Sequence, residues 1–587
     1  MFHVAPSAAP ALRRDPADTA RRLILLLAVV AVLVVLSFLF LWPVVMLALG
    51  VFRSAPPGLP GEWTLQAFEV FLRSSMYEAL FNSLILAAST TAIGVFVAAL
   101  LAYVNVRTNT PLRGLITPAI MLLLAVPNTF YALGWAMLGN PRSGLVNVFG
   151  RSIFGEDVTL FNSTSWVGLI TVLSIKACAF SYLLILGAFK LQSSDSLDAA
   201  NIAGSGRWGT LFRVDLPSLA PAIGGAVIIC MILALEAFET PLFLGVPAGI
   251  RVFATDIYST LRNTTPPEYG EASLLSIVLF VVVILLAWWY RSLMSKREYS
   301  TVGGRNYRTA QIDLGAVKYV VSALVVLFLL IAVVLPVGQT LAGSFQTYLG
   351  NYASFTLDNY AYVLGMRDLP RAAITTIAIF ALGGVVIAVA LALNYFAIRM
   401  PRHPATRYAW FLTWFPLALP GVVLGIAIMW GVMSVPGINQ LGGTIWLMLI
   451  GVGVAGIPLA SRVAEGAVRQ VRPDIEDAAL IGGASRGRML SGIVAPLIAT
   501  SFFSGWVLVG LSMIGNLAVP LMLSATSWQP VAVMSYDLYN FGRIPQAGAL
   551  FGLTVLGALI IAVAVFVVIL GTRLIQKLIA RRTDAAA

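Results

Sequence analysis

The amino-acid sequence predicts an all-α polytopic membrane protein, with twelve transmembrane helices arranged as two parallel six-helix repeats. Three observations lead there. The 587 residues are 59% hydrophobic and 11% charged, with a mean hydropathy of +0.91; a soluble domain is about 25% charged. Apolar runs near or above ~18 residues, the length a helix needs to cross a bilayer, recur along the chain. A polar stretch of the first half, Asp198–Pro217, returns without a gap as Asp477–Pro496, 279 residues later. A membrane β-barrel would show alternating segments of about 10 residues, and these are absent.

The spans fall at 23–52, 79–106, 114–138, 166–189, 221–245, 273–290, 319–342, 372–398, 409–434, 445–461, 496–524 and 548–572. Arg13, Arg14, Arg21 and Arg22 precede the first. That run is too long for a signal-peptide core and no A-x-A-like site ends it, so it reads as a retained helix with a cytoplasmic start. Pro127-Asn128 interrupts the third span and Pro420-Gly421 the ninth. Proline frees a carbonyl and kinks a helix, either where helices line a cavity or where packing needs a bend. The fourth span holds Lys176, the only basic residue inside a span. The fifth holds Glu236 and Glu239, which are three residues apart and so share a face. Carboxylates are costly in a membrane. The pair either lines a cation pathway or forms a structural ion pair with Lys176. Gly515 and Ala518 stand at the equivalent positions of the second half. The tenth span is short and gives way at Ser461–Arg462.

Residues 291–318, with six Lys and Arg and a Gly-Gly, divide the spans six and six. The expected organisation is a cytoplasmic tail (1–22), a first unit (23–290), a cytoplasmic linker (291–318), a second unit (319–572) and a cytoplasmic tail (573–587). Cytoplasmic loops collect Lys and Arg. With both termini cytoplasmic, 27 of the 37 basic residues face the cytoplasm and nine the exterior. Six is even, so both units insert the same way round and both copies of the repeated stretch are cytoplasmic.

The repeat extends further. "PLFLGVP" from Pro241 is echoed by "PLMLSAT" from Pro520. "DIY" at Asp256–Tyr258 is echoed by "DLY" at Asp537–Tyr539, and "AVPNTF" from Ala125 by "ALPGVV" from Ala418 at offset 293. The longer exterior loop Gly139–Trp166, against Ser434–Thr444, accounts for the change of offset. A period this long is a duplicated domain, not a solenoid.

The net charge of +12 and pI of 9.8 reflect those cytoplasmic loops; no continuous basic domain exists to bind nucleic acid. Cys178 and Cys230 lie in apolar runs and read as small core residues. His3 and His403 are too few and too far apart for a metal or haem site. No metal site or bound cofactor is expected, and no acid–base or nucleophile cluster suggests an enzyme. "GSGRWGT" at Gly204–Thr210 lacks the lysine and the preceding strand of a phosphate-binding loop.

In the repeated stretch, Asp198 suits the first turn of a short helix, where its charge meets the dipole. Ala199 and Ala200 leave a face that another surface can approach closely. Gly204 is a left-handed helix stop, and Pro217 opens the next helix. Asp477, Ala478, Ala479, Gly483 and Pro496 hold the same register. This spacing resembles the E-A-A loop of permeases of binding-protein-dependent ABC importers. Asp198 and Asp477 replace the family's first Glu, Val214 its Ile and Ala495 its Leu.

The resemblance covers the whole chain as two fused units and is most similar to ferric-iron transport permeases. The stretch "LEAFETPLFLG" at Leu235–Gly245 adds to that likeness. It implies the type I importer fold in a bacterial inner membrane. The two loops would dock on a dimer of cytoplasmic ABC ATPases, separate polypeptides that use the ATP. A periplasmic solute-binding protein would deliver the solute, with Asp256, Tyr258, Asp537 and Tyr539 near the exterior gate and its dock. Glu236, Glu239, Pro127, Asn128, Pro420 and Gly421 are the candidate pathway residues. Polyamine, thiamine, phosphonate and sulfate are carried by related permeases. A secondary transporter of the major-facilitator type also has two parallel six-span halves, but would not require the repeated polar loop.

Overall fold

The computed structural model describes residues 16–191, 206–295, 312–400, 404–524 and 527–560, with 563 and 567. These residues form helices and no strand; their only β pairing is three isolated bridges. Among the described residues nine helices are long and apolar enough to cross a membrane, or ten if the pair Arg113–Ala125 and Asn128–Leu138, bent by 102°, is one broken span. Shorter apolar helices, Gly421–Met433 after the short helix Pro404–Trp414, and Ile544–Ile560, fall in the ninth and twelfth expected spans.

The duplication is visible element by element. The short helix Arg207–Thr210, the π turn Leu211–Asp215 and the helix Leu216–Leu235 recur as Arg486–Met489, Leu490–Val494 and Ala495–Ile514, all at offset 279. Pro217 and Pro496 each stand in the first turn of the fifth span. Their missing N–H costs nothing there.

In each half the second, fourth and fifth spans pack as a bundle, Ser74–Arg107 with Trp166–Leu191 and Leu216–Leu235, and Leu369–Arg399 with Ile445–Gln470 and Ala495–Ile514. Small residues allow this: a Cβ on Gly94 would lie 2.8 Å from the Ser174 carbonyl oxygen, and one on Gly383 2.8 Å from Gly510 Cα. Close backbone approach is how helices associate where lipid removes the hydrophobic drive.

The first span of each half crosses to the other half. Pro16–Gly50 packs on Gly421–Met433, where Trp42 Nε1 donates to the Gly431 carbonyl at 3.0 Å. Reciprocally, Leu335–Ser344 packs on Asn128–Leu138, where the Tyr131 hydroxyl donates to the Ala332 carbonyl at 2.9 Å. Each unit therefore completes the other.

Two expectations change. The tenth span does not stop at 461 but continues to Gln470. Its extension buries Ala464, Ala467 and Val468 and carries the ion pair Glu465–Arg469 at 2.8 Å, so it is amphipathic rather than polar. The ranges 221–245 and 496–524 are not continuous helices; both break, after Leu235 and after Ile514. The longer exterior loop folds the helix Leu145–Phe154. Asn147 pins that helix by donating to the carbonyls of Asn140 and Phe161 and accepting from the Phe161 N–H. Cys178 and Cys230 are buried free thiols, the latter 2.9 Å from the Ser181 hydroxyl.

Candidate functional site

Four helix breaks organise the middle of the molecule. Pro127 and Pro420 cap the second arm of each third span with nearly the same backbone angles, φ −58° and ψ 141° against φ −50° and ψ 142°. Asn128 and Gly421 are the first residues of those arms. Helix-ending carbonyls left by the first break are taken up by Lys176, whose Nζ donates to Leu123 at 2.9 Å and Val126 at 2.8 Å. It also lies 4.6 Å from the ring centre of Tyr131. A cation at a helix C-terminus meets the negative end of the dipole.

The fifth-span breaks meet the third-span breaks. Thr129 Oγ1 donates to the Gly515 carbonyl at 2.9 Å, and Gly515 sits directly on the Pro127 ring. A Cβ on Gly421 would lie 2.9 Å from Ala518 Cβ. Glu239 reaches across the halves, its carboxylate accepting from the Leu517 N–H at 3.4 Å. Glu236 Oε1 is buried and, among the described residues, has no hydrogen-bond partner. Half-helices ending in mid-membrane are tolerated where they line a cavity, and they place polar groups where a solute passes.

Two expectations about these carboxylates are corrected. Glu236 and Glu239 do not share a helical face, because Glu236 is the cap of one helix and Glu239 opens the next turn. Among the described residues no ion pair within 4 Å joins either carboxylate to Lys176; the ammonium donates to the third-span carbonyls, and Glu239 is near enough to act on it through its charge alone.

Beyond the breaks, aromatic rings close the space between the halves. Phe243 lies 5.3 Å from the Tyr536 ring and 4.8 Å from Tyr539, whose hydroxyl donates to the Phe243 carbonyl at 3.0 Å. Tyr258 packs 5.7 Å from Phe238. These tyrosines therefore face inward. Asp256 and Asp537 are half-buried; burial raises both carboxyls above the usual range, opposed by Arg251 and Arg262 respectively.

Asp198, Ala199, Ala200 and Gly204 lie outside the described residues. The second copy is described. Its helix runs Pro473–Ile481, so Asp477 is not in the first turn; Asp474 and Glu476 are. Asp477 and Ala478 are exposed and Ala479 is half-exposed. Ile481 is 87% exposed, an apolar tip presented to the surroundings. Gly483 adopts φ +82°, and the Ala484 N–H closes back on the Ala479 carbonyl at 3.0 Å. Valine at 483 should strain this left-handed turn by about 1–2 kcal/mol without touching the core. Amide hydrogen exchange at 478–485 is then expected to rise while the melting temperature of the whole protein stays put.

The sequence reading missed the residues that anchor this segment. Arg399 ends the second span and donates to Glu476 through Nε at 2.8 Å and to the Val471 carbonyl at 2.8 Å. The Tyr395 hydroxyl also donates to Glu476, at 2.8 Å. In the first half Arg107 ends the second span and pairs with Asp215 at 2.8 Å, both buried. An arginine closing the second span of each half was a readable signal.

Residues 90–298 and 384–585 each match the family described as the binding-protein-dependent transport system inner membrane component. The chain belongs to that family. It carries the family's unit twice, and it is the permease component of an ABC importer. The putative ferric transport system permease protein FbpB 1 of Haemophilus influenzae is 23% identical over 492 residues, covering 82% of this chain and 75% of the relative. The probable ABC transporter permease protein y4fN of Sinorhizobium fredii is 26% identical over 471 residues, covering 76% and 78%. The sulfoquinovosyl glycerol transport system permease protein SmoG of Agrobacterium fabrum is 25% identical over 293 residues, 48% of this chain but 93% of its own. The permease is thus similar along its length to two-unit relatives, and over about half to a relative of single-unit size.

Proposed function

We propose that this permease imports ferric iron handed over by a periplasmic binding protein, across a bacterial inner membrane, with both termini and both repeated loops in the cytoplasm. A separate ATPase dimer supplies the energy by docking at Asp198–Gly204 and Asp477–Gly483. Solute passes by alternating access between the halves, along the breaks at Pro127, Asn128, Pro420 and Gly421 and past Glu236 and Glu239. Asp256, Tyr258, Asp537 and Tyr539 stand toward the exterior gate and the binding protein.

The observation that carries this reading is the buried, unpartnered carboxylate oxygen of Glu236 at the meeting of the broken spans. Carboxylate oxygens suit a hard cation, and disfavour the sulfate and phosphonate carried by other permeases. The ferric transport relative of Haemophilus influenzae supports the same choice. A polyamine is the second reading, since the same carboxylates would serve an organic cation.

The test is reconstitution in proteoliposomes with the ATPase and the binding protein. Uptake of radioactive ferric ion should require ATP and both partners. Polyamine uptake without ferric uptake would overturn the substrate assignment.

A further inference from the structure

The exterior elements of the two halves share one pattern. Asp256, Tyr258 and Arg262 recur as Asp537, Tyr539 and Arg543, all at offset 281. In the first half the helix Phe253–Arg262 contains the whole pattern, so Tyr258 and Arg262 stand one turn apart on one face. In the second half the helix Val531–Asn540 stops short of the arginine. Gly542 takes φ +75°, the left-handed region that glycine enters freely, where its equivalent Leu261 is helical. That turn carries Arg543 over the Tyr362 ring of its own half, 4.7 Å from the centre.

Each copy of the pattern sends one side chain across to the other half. Arg262 Nη2 donates to the Leu521 carbonyl at 2.6 Å. The Tyr539 hydroxyl donates to the Phe243 carbonyl at 3.0 Å. The two acceptors lie in matching segments, Pro241–Gly245 and Ala518–Leu523, which directly follow the fifth-span breaks. Leu521 is in the last turn of its short helix, where carbonyls have no partner within the helix itself. Arg262 is also within charge range of Asp537, on the facing exterior helix. Each bond therefore joins the exterior helix of one half to the segment beyond the break of the other.

We propose that Arg262 and Tyr539 are positioning residues that form a two-point clasp, holding the exterior end of the pathway shut until both bonds are released. The aromatic rings of Phe243, Tyr536 and Tyr539 fill the space between the two points. Because the acceptors sit on the segments that continue from the breaks, opening the clasp moves the exterior helices and the broken spans together. The inference rests on the alternating access and the exterior placement proposed above.

The experiment uses the full permease with its ATPase in lipid nanodiscs, with and without ATP and the binding protein. Nitroxide labels go on cysteines introduced by Ala248→Cys in the first half and Phe541→Cys in the second. Both positions are exposed, whereas Cys178 and Cys230 are buried. Pulsed electron paramagnetic resonance reads the ratio of open to closed molecules from the distance between labels. Y539F keeps the ring against Phe243 and removes only the donor. R262M keeps an apolar stem and removes the charged donor. Each should raise the open-to-closed ratio of the resting complex about threefold to tenfold, the worth of one net hydrogen bond. The double variant should raise it about tenfold or more, since two bonds to different elements oppose the same opening. R262K keeps a cationic donor and should stay closer to the unmodified protein than R262M, a difference that mere space-filling would not produce. Resting ratios unchanged in Y539F, R262M and the double variant would overturn the proposal. If ATP and the binding protein separate the labels in the unmodified protein while the variants leave the resting ratio alone, the clasp fails and alternating access stands. If the labels separate under no condition, the alternating-access reading fails, and the clasp with it.

Discussion

Replacing Gly515 with valine should abolish import by forcing the two halves apart. Gly515 caps the broken fifth span of the second half and lies on the Pro127 ring of the first. A Cβ there would fall far inside van der Waals contact with Pro127 Cβ and 3.0 Å from both its Cα and its Cγ. A proline ring at a helix cap has no rotamer by which to yield. Overpacking of this kind costs about 1–3 kcal/mol, occasionally more. It would also pull the Gly515 carbonyl from Thr129 Oγ1. The expected result is a lowered melting temperature and uptake at background, read by thermal unfolding and by transport on the same preparation. Gly466→Ala is the control, since a Cβ at Gly466 meets nothing within 4 Å. Retention of both stability and uptake in Gly515→Val would show that the breaks do not meet as described.

Neutralising Glu236 should cost uptake at least about tenfold while the fold survives, a loss of about 1.4 kcal/mol or more in the barrier for passage. Gln matches Glu in shape, so packing is kept. Glu236 Oε1 has no hydrogen-bond partner among the described residues, so its removal breaks no hydrogen bond seen there. Glu239 differs, because its carboxylate accepts from the Leu517 N–H, and a Gln carbonyl can still accept there. Glu236→Gln should therefore impair uptake more than Glu239→Gln, with melting temperatures close to the unmodified protein for both. Normal uptake in Glu236→Gln would remove this carboxylate from the pathway. The second half offers no substitute, since Gly515 and Ala518 occupy the equivalent positions.

Much of this was legible because membrane insertion depends on local composition. Run length marks a span wherever lipid is the solvent. A gapless repeat marks equivalent elements, and the helix, π turn and helix from Arg207 recur from Arg486 as the offset requires. The prolines at 127 and 420 marked real breaks, since a missing N–H acts on its own turn. Glu236 and Glu239 were correctly singled out as buried carboxylates, but their geometry was misjudged. The break after Leu235 carries no proline within the helix end itself, and the equivalent break after Ile514 differs in sequence. Lys176 illustrates the same limit: its partners are carbonyls, which every residue possesses and no sequence pattern marks.

The sequence by itself determined that the chain spans a membrane, that it is two fused units, and where each unit carries its polar loop. These follow from the length of apolar runs and from register, which are properties of neighbouring residues. Only the tertiary structure decided that each first span completes the opposite half, that Pro127 rests on Gly515, that Glu239 reaches Leu517, and that Arg107 pairs with Asp215 and Arg399 with Glu476. Those contacts join residues up to several hundred positions apart, and close packing between helices, rather than any local preference, selects them.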